Sequence, residues 1–530
     1  MDPQKISYAK TNQFSDLICD FLAQKEALTP FYHRFPYLDE FKGQIQDKGK
    51  SFSMEQRAIL VQQLQKQYRD LAISAQTQSN IDALAQKTTF TITTGHQLNL
   101  FTGPLYFLYK IIDVINLAKQ LSERYPEYTF VPVYWMASED HDFDEINHFR
   151  FFEQTYAWDA PHGGPVGRLP TNNIAPLFDP LSHQWAGHPY GAQLLDWFKT
   201  AYQKETLSEA TRTLANALFK EDGLVVLDGD DALLKKAFVP IAKAELTQQA
   251  CAKAINKTTQ SLTDLGYHKQ VHPREINLFY CQGQTRGRII AQDNGFVVDG
   301  SKQEFETQAL LDHIDAHPEC ISPNALLRPV YQELILPNLA YVGGGGELAY
   351  WLQLRGCFDL LELDFPMLVL RTSVLLVSEK VHHKLAQMDI TVAELFANEQ
   401  ELSKTFIQKT TATPIDFSPQ RAALKGQFKG LYDLAKTTDA SFIGAVAAQE
   451  KKQLNGLDYL EKRLLRAQKR KHKAQLERLM VLRQELFPGG NLQERTHNMA
   501  QWYFSYGPDI VGQLKMQIKP LDFEFHILTI

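Results

Sequence analysis

The sequence predicts an α/β protein: a parallel-sheet core, with a long helical coiled coil toward the C-terminus. Three observations carry that expectation. Two strand-like runs, Thr89–Thr94 and Phe130–Met136, flank a helical pattern within about 50 residues, the spacing of a βαβ unit with a right-handed crossover. The second run is apolar on both faces, as a parallel strand covered by helices must be. From about residue 378 the chain turns into long, charged, helix-favouring sequence with few glycines.

Taken in order, residues 1–87 read as mainly helical, with helical spacing between Met54 and Leu71. The run TFTITT follows at 89–94 and opens into Gly95-His96-Gln97. Pro104 suits the first position of the next helix, where its missing N–H costs nothing. Leu105, Leu108, Ile112 and Ile115 then keep helical spacing. Residues 157–190 are rich in Pro, Gly, Asn and His and read as an insertion or flap, not a packed element. A strand at 223–227 ends in Asp228-Gly229-Asp230-Asp231, and 276–298 reads as a small antiparallel piece with glycine turns. Ala340-Tyr341-Val342 is β-prone and runs into Gly343-Gly344-Gly345-Gly346-Glu347, and Phe365–Leu370 is a further strand ending at Arg371. Within the helical region, 445–486 is the longest run; the basic stretch Lys469–Lys473 carries no apolar seam and interrupts the coil. Pro488-Gly489-Gly490 stops it, and the last 40 residues, with β-prone WYFSYG and FEFHILTI, return to the main body. The expected organisation is a helical segment 1–87, a core 88–375 with inserts around 157–220 and 270–320, a helical region 376–490, and a returning segment 491–530.

The chain has 530 residues, room for two to four domains or one large decorated one. Hydrophobic residues make up 44%, enough for a sizeable core. The net charge of −6 (55 cations, 61 anions) argues against a general nucleic-acid binder. The five cysteines are scattered with no CxxC pair, so reduced thiols are expected in place of a disulfide or zinc framework. Neither a signal peptide nor an apolar run of about 18 residues is evident, so a soluble cytoplasmic protein without a membrane span is expected.

Four constellations bear chemistry. The first is Gly95, His96 and Gln97 with Asn99, Thr102, Gly103 and, further on, Lys110. A strand that ends at Gly and hands over to a helix leaves N–H groups for phosphate or another anion, and His96 can donate a hydrogen bond or shuttle a proton. An ordinary βα turn with a surface His reads the same way. The second runs from Ser138 to His148 and packs Glu139, Asp140, Asp142, Asp144 and Glu145 with His141 and His148. Charges this dense repel unless a cation, a proton or a positive substrate relieves them. A divalent-metal site, a general acid/base pair, an ammonium site and a solvated loop all fit. The third is Gly343, Gly344, Gly345 and Gly346 with Glu347, Tyr350 and Trp351; four glycines allow close approach to a ligand, or make a flexible loop. The fourth is Arg328 with Gln332 and Glu333, plus Arg371, which structural ion pairs would explain equally well. Three of these clusters lie at carboxyl ends of predicted strands, which in a parallel sheet share one edge.

The segments TTGHQLNLFTGPLYFLYKIIDVINLAKQL, VYWMASEDHDFDEINH and RPVYQELILPNLAYVGGGGELAYWLQL resemble the cysteine-ligase family of bacillithiol biosynthesis, BshC, collinearly over most of the chain. The resemblance implies a Rossmann-like core of the class I synthetase/nucleotidyltransferase type with inserted connecting subdomains, and a coiled coil that makes a homodimer. It implies amide formation between L-cysteine and glucosaminyl-malate as the last pathway step. Where the family's glycine segment reads closer to Gly-Pro-Gly-Glu, this chain has three glycines before Glu347, which implies a more flexible loop.

Amide formation from a carboxylate runs uphill in water, so an acyl-adenylate or acyl-phosphate made from a nucleotide, ATP or ADP, is the implied device, with Mg2+ as a possible companion. No KMSKS-like loop is evident. By this reading His96 and the 95–104 backbone hold phosphate, helped by Lys110. Glu139, Asp140 and Asp142 bind a cation or the amine, with His141 as acid or base. The 343–347 loop closes over the ligand, and Arg328, Gln332, Tyr350, Trp351 and Arg371 hold substrate. No metal ligand is assigned. A metal-dependent hydrolase built on 138–148 and a nucleotide-binding dimeric scaffold are the alternatives.

Overall fold

The computed structural model describes residues 4–160, 163–411, 415–438 and 440–530. Pro161 and His162 of the 157–190 stretch lie outside the described residues. The core is a five-stranded, wholly parallel sheet: β1 (Thr89–His96), β2 (Thr129–Met136), β3 (Val225–Asp228), β4 (Asn338–Gly343) and β5 (Met367–Leu370). Their spatial order is β5-β4-β1-β2-β3. The chain winds outward from β1 through β3, then returns to the other side of β1 for β4 and β5. The winding direction therefore reverses between β1 and β4, and at such a switch point the carboxyl ends of two strands open a crevice.

β1 is β-branched at five of its first six positions and buried throughout, and it pairs in register with β2 from Thr89–Thr129 to His96–Met136. The strand thus runs two residues beyond the expected stop at Thr94: Gly95 and His96 are ladder residues opposite Trp135 and Met136. Helix α1 (Tyr106–Arg124) makes the crossover and packs Leu108, Ile111, Ile112 and Ile115 on the sheet. It begins two residues after Pro104, because Phe101, Thr102 and Gly103 all take positive φ and hold the entry open.

Residues 163–190 are more regular than the composition of the stretch suggests. Helix Phe178–Trp185 buries Leu181 and Trp185 completely, with Pro180 in the first turn, where proline is tolerated. The antiparallel piece is a five-stranded sheet: Leu278–Gln282, Thr285–Gln292 and Gly295–Val298, flanked by Glu304–Glu306 and Ile321–Pro323. Both chain ends return to the body, where Gln4–Ser7 and Val374–Val377 sandwich Glu524–Thr529. All of WYFSYG but its last glycine is helical, within Met499–Tyr506, because Met499, Ala500 and Tyr503 bury one helical face.

Helices Ser418–Ala435 and Ala440–Lys471 pair as an antiparallel arm with its own small core of Phe428, Ala435 and Val446. Arg421 ties the pair by ion pairs to Asp458 (2.7 Å) and to Glu461. The long helix breaks at His472, inside the basic stretch that lacks an apolar seam, and resumes as Lys473–Leu486.

Candidate active site

At the carboxyl edge of β1, β2 and β4 lies a cavity of about 650 Å3. Gly95, His96 and Gln97 line it from β1, Trp135, Met136, Ala137, Glu139, Asp140 and His141 from β2 and beyond, and Tyr341, Gly344, Gly346, Glu347 and Tyr350 from β4 and the helix after it. Lys110, Arg328 and Arg371 complete the residues expected from the sequence.

The floor is a buried cation held between the two strands of the switch point. Lys110 Nζ donates to the Gly95 carbonyl (2.6 Å) and pairs with Glu347 (2.6 Å). Glu347 also accepts from Tyr341 Oη (2.7 Å) and the Gly344 amide (2.9 Å). Burial works to raise the Glu347 carboxyl, and Lys110 with these bonds outweighs it, leaving it below its usual range. The glycine run is therefore a helix start locked by its own Glu347, not a flexible lid: Gly345–Gln353 is helical, and none of the four glycines takes positive φ. Gly95 has a packing reason, since a Cβ there would come within 3.0 Å of Tyr341 Oη.

His96 is buried, edge-on to Tyr106 (5.3 Å), and its Nε2 has no partner. Burial, reinforced by the Lys110 charge, brings its pKa down to about 3. The ring is neutral across the physiological range, so the expected proton shuttle gives way to a neutral hydrogen-bonding group. The expected free amides of the following turn are spent internally: Phe101 N donates to Tyr202 Oη (3.0 Å), Gly103 N to the Leu100 carbonyl (2.9 Å) and Leu105 N to the His497 carbonyl (2.7 Å). Asn498 in turn bonds the carbonyls of Phe101 (2.8 Å) and Gly103 (2.6 Å). Asn99, Thr102 and Gly103 face this packing and do not line the cavity.

The cations differ in what they have left to offer. Arg371 is neutralised by a bidentate pair with Glu494 (2.6 and 2.9 Å). Arg328 is half-buried, lies over the rings of Trp135 (5.7 Å) and Tyr341 (5.4 Å), and donates to Gln332 Oε1 (2.9 Å). Among the described residues no carboxylate lies within ion-pair distance of it, and its Nη2 has no partner. Gln332 is buried behind Arg328, Trp351 stacks on Tyr341 (4.6 Å), and Gly345 packs toward Phe14; these three support the wall without lining it.

The acidic wall splits: Glu139 turns away from the rest, while Gln97 Nε2 bridges Asp140 (3.0 Å) and Glu145 (2.9 Å). Glu139 turns inward to Lys235 (2.7 Å), which also holds Asp230 (2.8 Å), itself gripped by Arg168 through Nε (2.6 Å) and Nη2 (2.7 Å). Burial works to raise the Asp230 carboxyl, but the two cations prevail and hold it at about 2. Asp140 accepts from Gln97 Nε2 (3.0 Å) and from the His141 amide (2.7 Å). Asp142 is exposed and lies outside the cavity. Among the described residues no three His, Cys, Asp or Glu groups converge to hold a metal ion, so the 138–148 donor set does not fit the metal site its composition allowed.

Lys235, Asp230 and Arg168, and the cavity residues Trp135, Tyr341, Arg286 and Arg495, escaped selection from the sequence. The Asp228–Asp231 run at a strand end was the one available signal for the first group. Arg286 comes from the antiparallel insert and carries no local motif.

Residues 1–372 match the family described as Bacillithiol biosynthesis BshC, N-terminal Rossmann-like domain, and residues 374–530 match its C-terminal coiled-coil domain. A protein named "Putative cysteine ligase BshC" from Flavobacterium johnsoniae is 48% identical over 526 residues, covering 99% of each chain. Its namesakes from Christiangramia forsetii and Flavobacterium psychrophilum are 47% and 46% identical, each over 99% of this chain and 98% of the other. The crystal structure titled "putative arginyl t-RNA synthetase" from Campylobacter jejuni aligns over 85% of this chain and 99% of its own at 11% identity, with a TM-score of 0.21, too low to argue a shared fold. With two family domains spanning nearly the whole sequence and close to half of its residues shared with full-length relatives, the chain belongs to the BshC family.

Proposed function

We propose that this chain is a ligase that joins L-cysteine to glucosaminyl-malate through an amide bond, the last step of bacillithiol biosynthesis. The observation that carries this reading is the switch-point cavity, about 650 Å3, in which two buried polar atoms, His96 Nε2 and Arg328 Nη2, stand without partners. Buried polar groups left open in this way need a ligand's acceptor or donor atoms, and the volume suits a nucleotide or a sugar-sized substrate.

Bound ATP, or ADP, supplies the free energy that activates the cysteine carboxylate. The protein's own residues divide the remaining tasks. Arg328 donates to anionic oxygens, whether phosphate or malate carboxylate, while neutral His96, whose ring N–H bonds the Thr102 backbone, offers its open Nε2 as an acceptor to a ligand hydroxyl or amine. Lys110 and Glu347 satisfy each other and fix the crevice geometry, so Lys110 acts through shape more than through free charge. Glu139, kept company by Lys235, and Asp140 form the end of the cavity suited to an amine. Tyr350 and Trp135 bound the space between. The arm carries exposed apolar side chains, including Leu434 and Phe442, and is the surface through which we expect the homodimer to form. No helix among the described residues is long and apolar enough to cross a membrane, and we place the reaction in the cytoplasm with small-molecule substrates and no nucleic acid.

The test is a single incubation of pure protein with cysteine, glucosaminyl-malate, ATP and magnesium, read by mass spectrometry. Bacillithiol with AMP indicates adenylation, and bacillithiol with ADP indicates acyl-phosphate chemistry. No product under any nucleotide overturns the reading of this chain as a self-sufficient ligase.

A further inference from the structure

Arg286 reaches the cavity from strand Thr285–Gln292 of the antiparallel insert, not from the parallel core. Its Nη1 lies 2.7 Å from His141 Nδ1. The guanidinium is held from behind: Nε and Nη2 lie 3.3 and 3.2 Å from Ser322 Oγ, Nη2 donates to the Pro323 carbonyl (3.1 Å), and the plane packs on the Phe279 ring at 3.8 Å. Among the described residues no carboxylate stands within ion-pair distance of Arg286, so its charge is directed at His141 and the cavity.

A guanidinium carries donors only and does not give up a proton in proteins. Nδ1 of His141 must then be the acceptor, which puts the ring's proton on Nε2. An imidazolium would set one N–H against another at this contact. The nearby carboxylate does not compete for Nδ1: Asp140 Oδ1 is 3.7 Å away and already accepts from the amides of His141 (2.7 Å) and Asp142 (3.4 Å). The charged groups acting on the ring are Arg286 from the insert and Asp140 and Asp142 from its own loop; burial, followed by Arg286, outweighs the two aspartates and favours the neutral form. This inverts the familiar arrangement in which a carboxylate on Nδ1 makes a histidine a better base. A cation on Nδ1 makes it a poorer base and a better donor, as a helix dipole does for a neutral catalytic histidine elsewhere.

We propose that Arg286 is a positioning residue that fixes His141 as a neutral hydrogen-bond donor, through Nε2–H, to an anionic oxygen of the ligand in this cavity. The idea rests on the cavity being the substrate site, and it replaces the acid-or-base role with an electrophilic one. The ligand chemistry is an oxyanion, and two sources supply it: a phosphoryl group or a carboxylate.

The experiment is long-range proton–nitrogen NMR of isotope-labelled histidine in the full chain, with His141 assigned by His141→Gln. Wild type should show the Nε2–H tautomer and a titration midpoint below the free-histidine value of about 6.5. In Arg286→Gln the tautomers should mix and the midpoint should rise, with Arg286→Lys between the two. The depressed midpoint of buried His526, which does not line the cavity, reports that each variant keeps its fold. Millimolar inorganic pyrophosphate or L-malate should then move the wild-type Nε2 resonance, and move it less in Arg286→Gln. A response to pyrophosphate alone identifies the phosphoryl source, and to malate alone the carboxylate. An Nδ1–H tautomer in wild type, an unchanged midpoint in Arg286→Gln, or no response to either anion would overturn the proposal. The NMR result stands apart from the ligase assay, so a protein that makes no amide yet shows the tautomer and the anion response would refute the proposed reaction alone.

Discussion

Lys110 Nζ sits 2.6 Å from Glu347 Oε2 and 2.6 Å from the Gly95 carbonyl, so one buried cation joins β1 to the helix after β4 across the point where the sheet reverses its winding. Removing one partner of a buried pair leaves the other charge uncompensated, a loss of roughly 3–5 kcal/mol. Lys110→Met should therefore lower unfolding stability by about 3 kcal/mol, the low end because Glu347 is partly exposed. The double variant Lys110→Met/Glu347→Gln should recover most of it in urea titrations. Because the folded carboxyl of Glu347 lies below its ordinary value, the stability it brings is present above the unfolded pKa of about 4.3 and is lost as pH falls through the folded one. The double variant should lack that acid-side loss.

Arg328 gives the opposite expectation. Its half-buried guanidinium lies over two aromatic rings, with no carboxylate in reach among the described residues, so folding bears part of its desolvation without a matching ion pair. Arg328→Gln should leave thermal stability unchanged or slightly raised. If the unpartnered Nη2 binds a substrate anion, the lost charge-assisted hydrogen bond is worth about 1.5–3 kcal/mol. The KM for the anionic substrate should then rise by roughly tenfold to a hundredfold. A variant that destabilises the fold while leaving KM unmoved would mark Arg328 as structural.

Buried His96 and His526 and half-buried His497 are held neutral, at pKa values of about 3, 4 and 4 in the folded chain, in each case through loss of hydration first. Between those values and the unfolded pKa of about 6.5 the unfolded chain binds more protons, so stability must fall as pH drops through that window. Denaturation midpoints measured at pH 7, 6 and 5 should decline, and His96→Gln should make the decline shallower. The same substitution to Ala should abolish amide formation with the fold intact; near-normal turnover would remove His96 from the site.

The parallel core was readable because β-branched and wholly apolar runs have few other uses, and residues 95–97, 139–141, Gly344, Gly346 and Glu347 reach one cavity because parallel strands share a carboxyl edge. Local pattern misjudged what the third dimension decides. Gly95 looked like a strand stop, yet it is a ladder residue kept small by the Tyr341 hydroxyl. The 100–104 turn looked like an anion cradle, but Tyr202, His497 and Asn498, remote in sequence, consume its polar groups. The five carboxylates of 139–145 allowed a metal, but Lys235 takes Glu139 away from the rest and the Gln97 amide bridges Asp140 and Glu145 in place of a cation. Lys235 and Arg286 could not be chosen from sequence, since each matters only through the partner that the fold brings to it.

The helical arm poses the last question. Arg421 and the small core around Phe428 account for how its two helices hold each other, yet Leu431, Leu434, Phe442, Ile443, Tyr459 and Leu460 stay exposed along it. Leu434 is 56% and Phe442 41% exposed, a poor arrangement for a helix pair that ends in water. A second copy of the arm would bury them at about 25 cal/mol per Å2. Sedimentation should give a dimer for wild type and a monomer for Leu434→Glu/Phe442→Glu. The parallel-sheet core lies elsewhere in the chain, so the variant's far-ultraviolet circular dichroism should match that of wild type. A charged arm that still sediments as a dimer would move the interface off these residues.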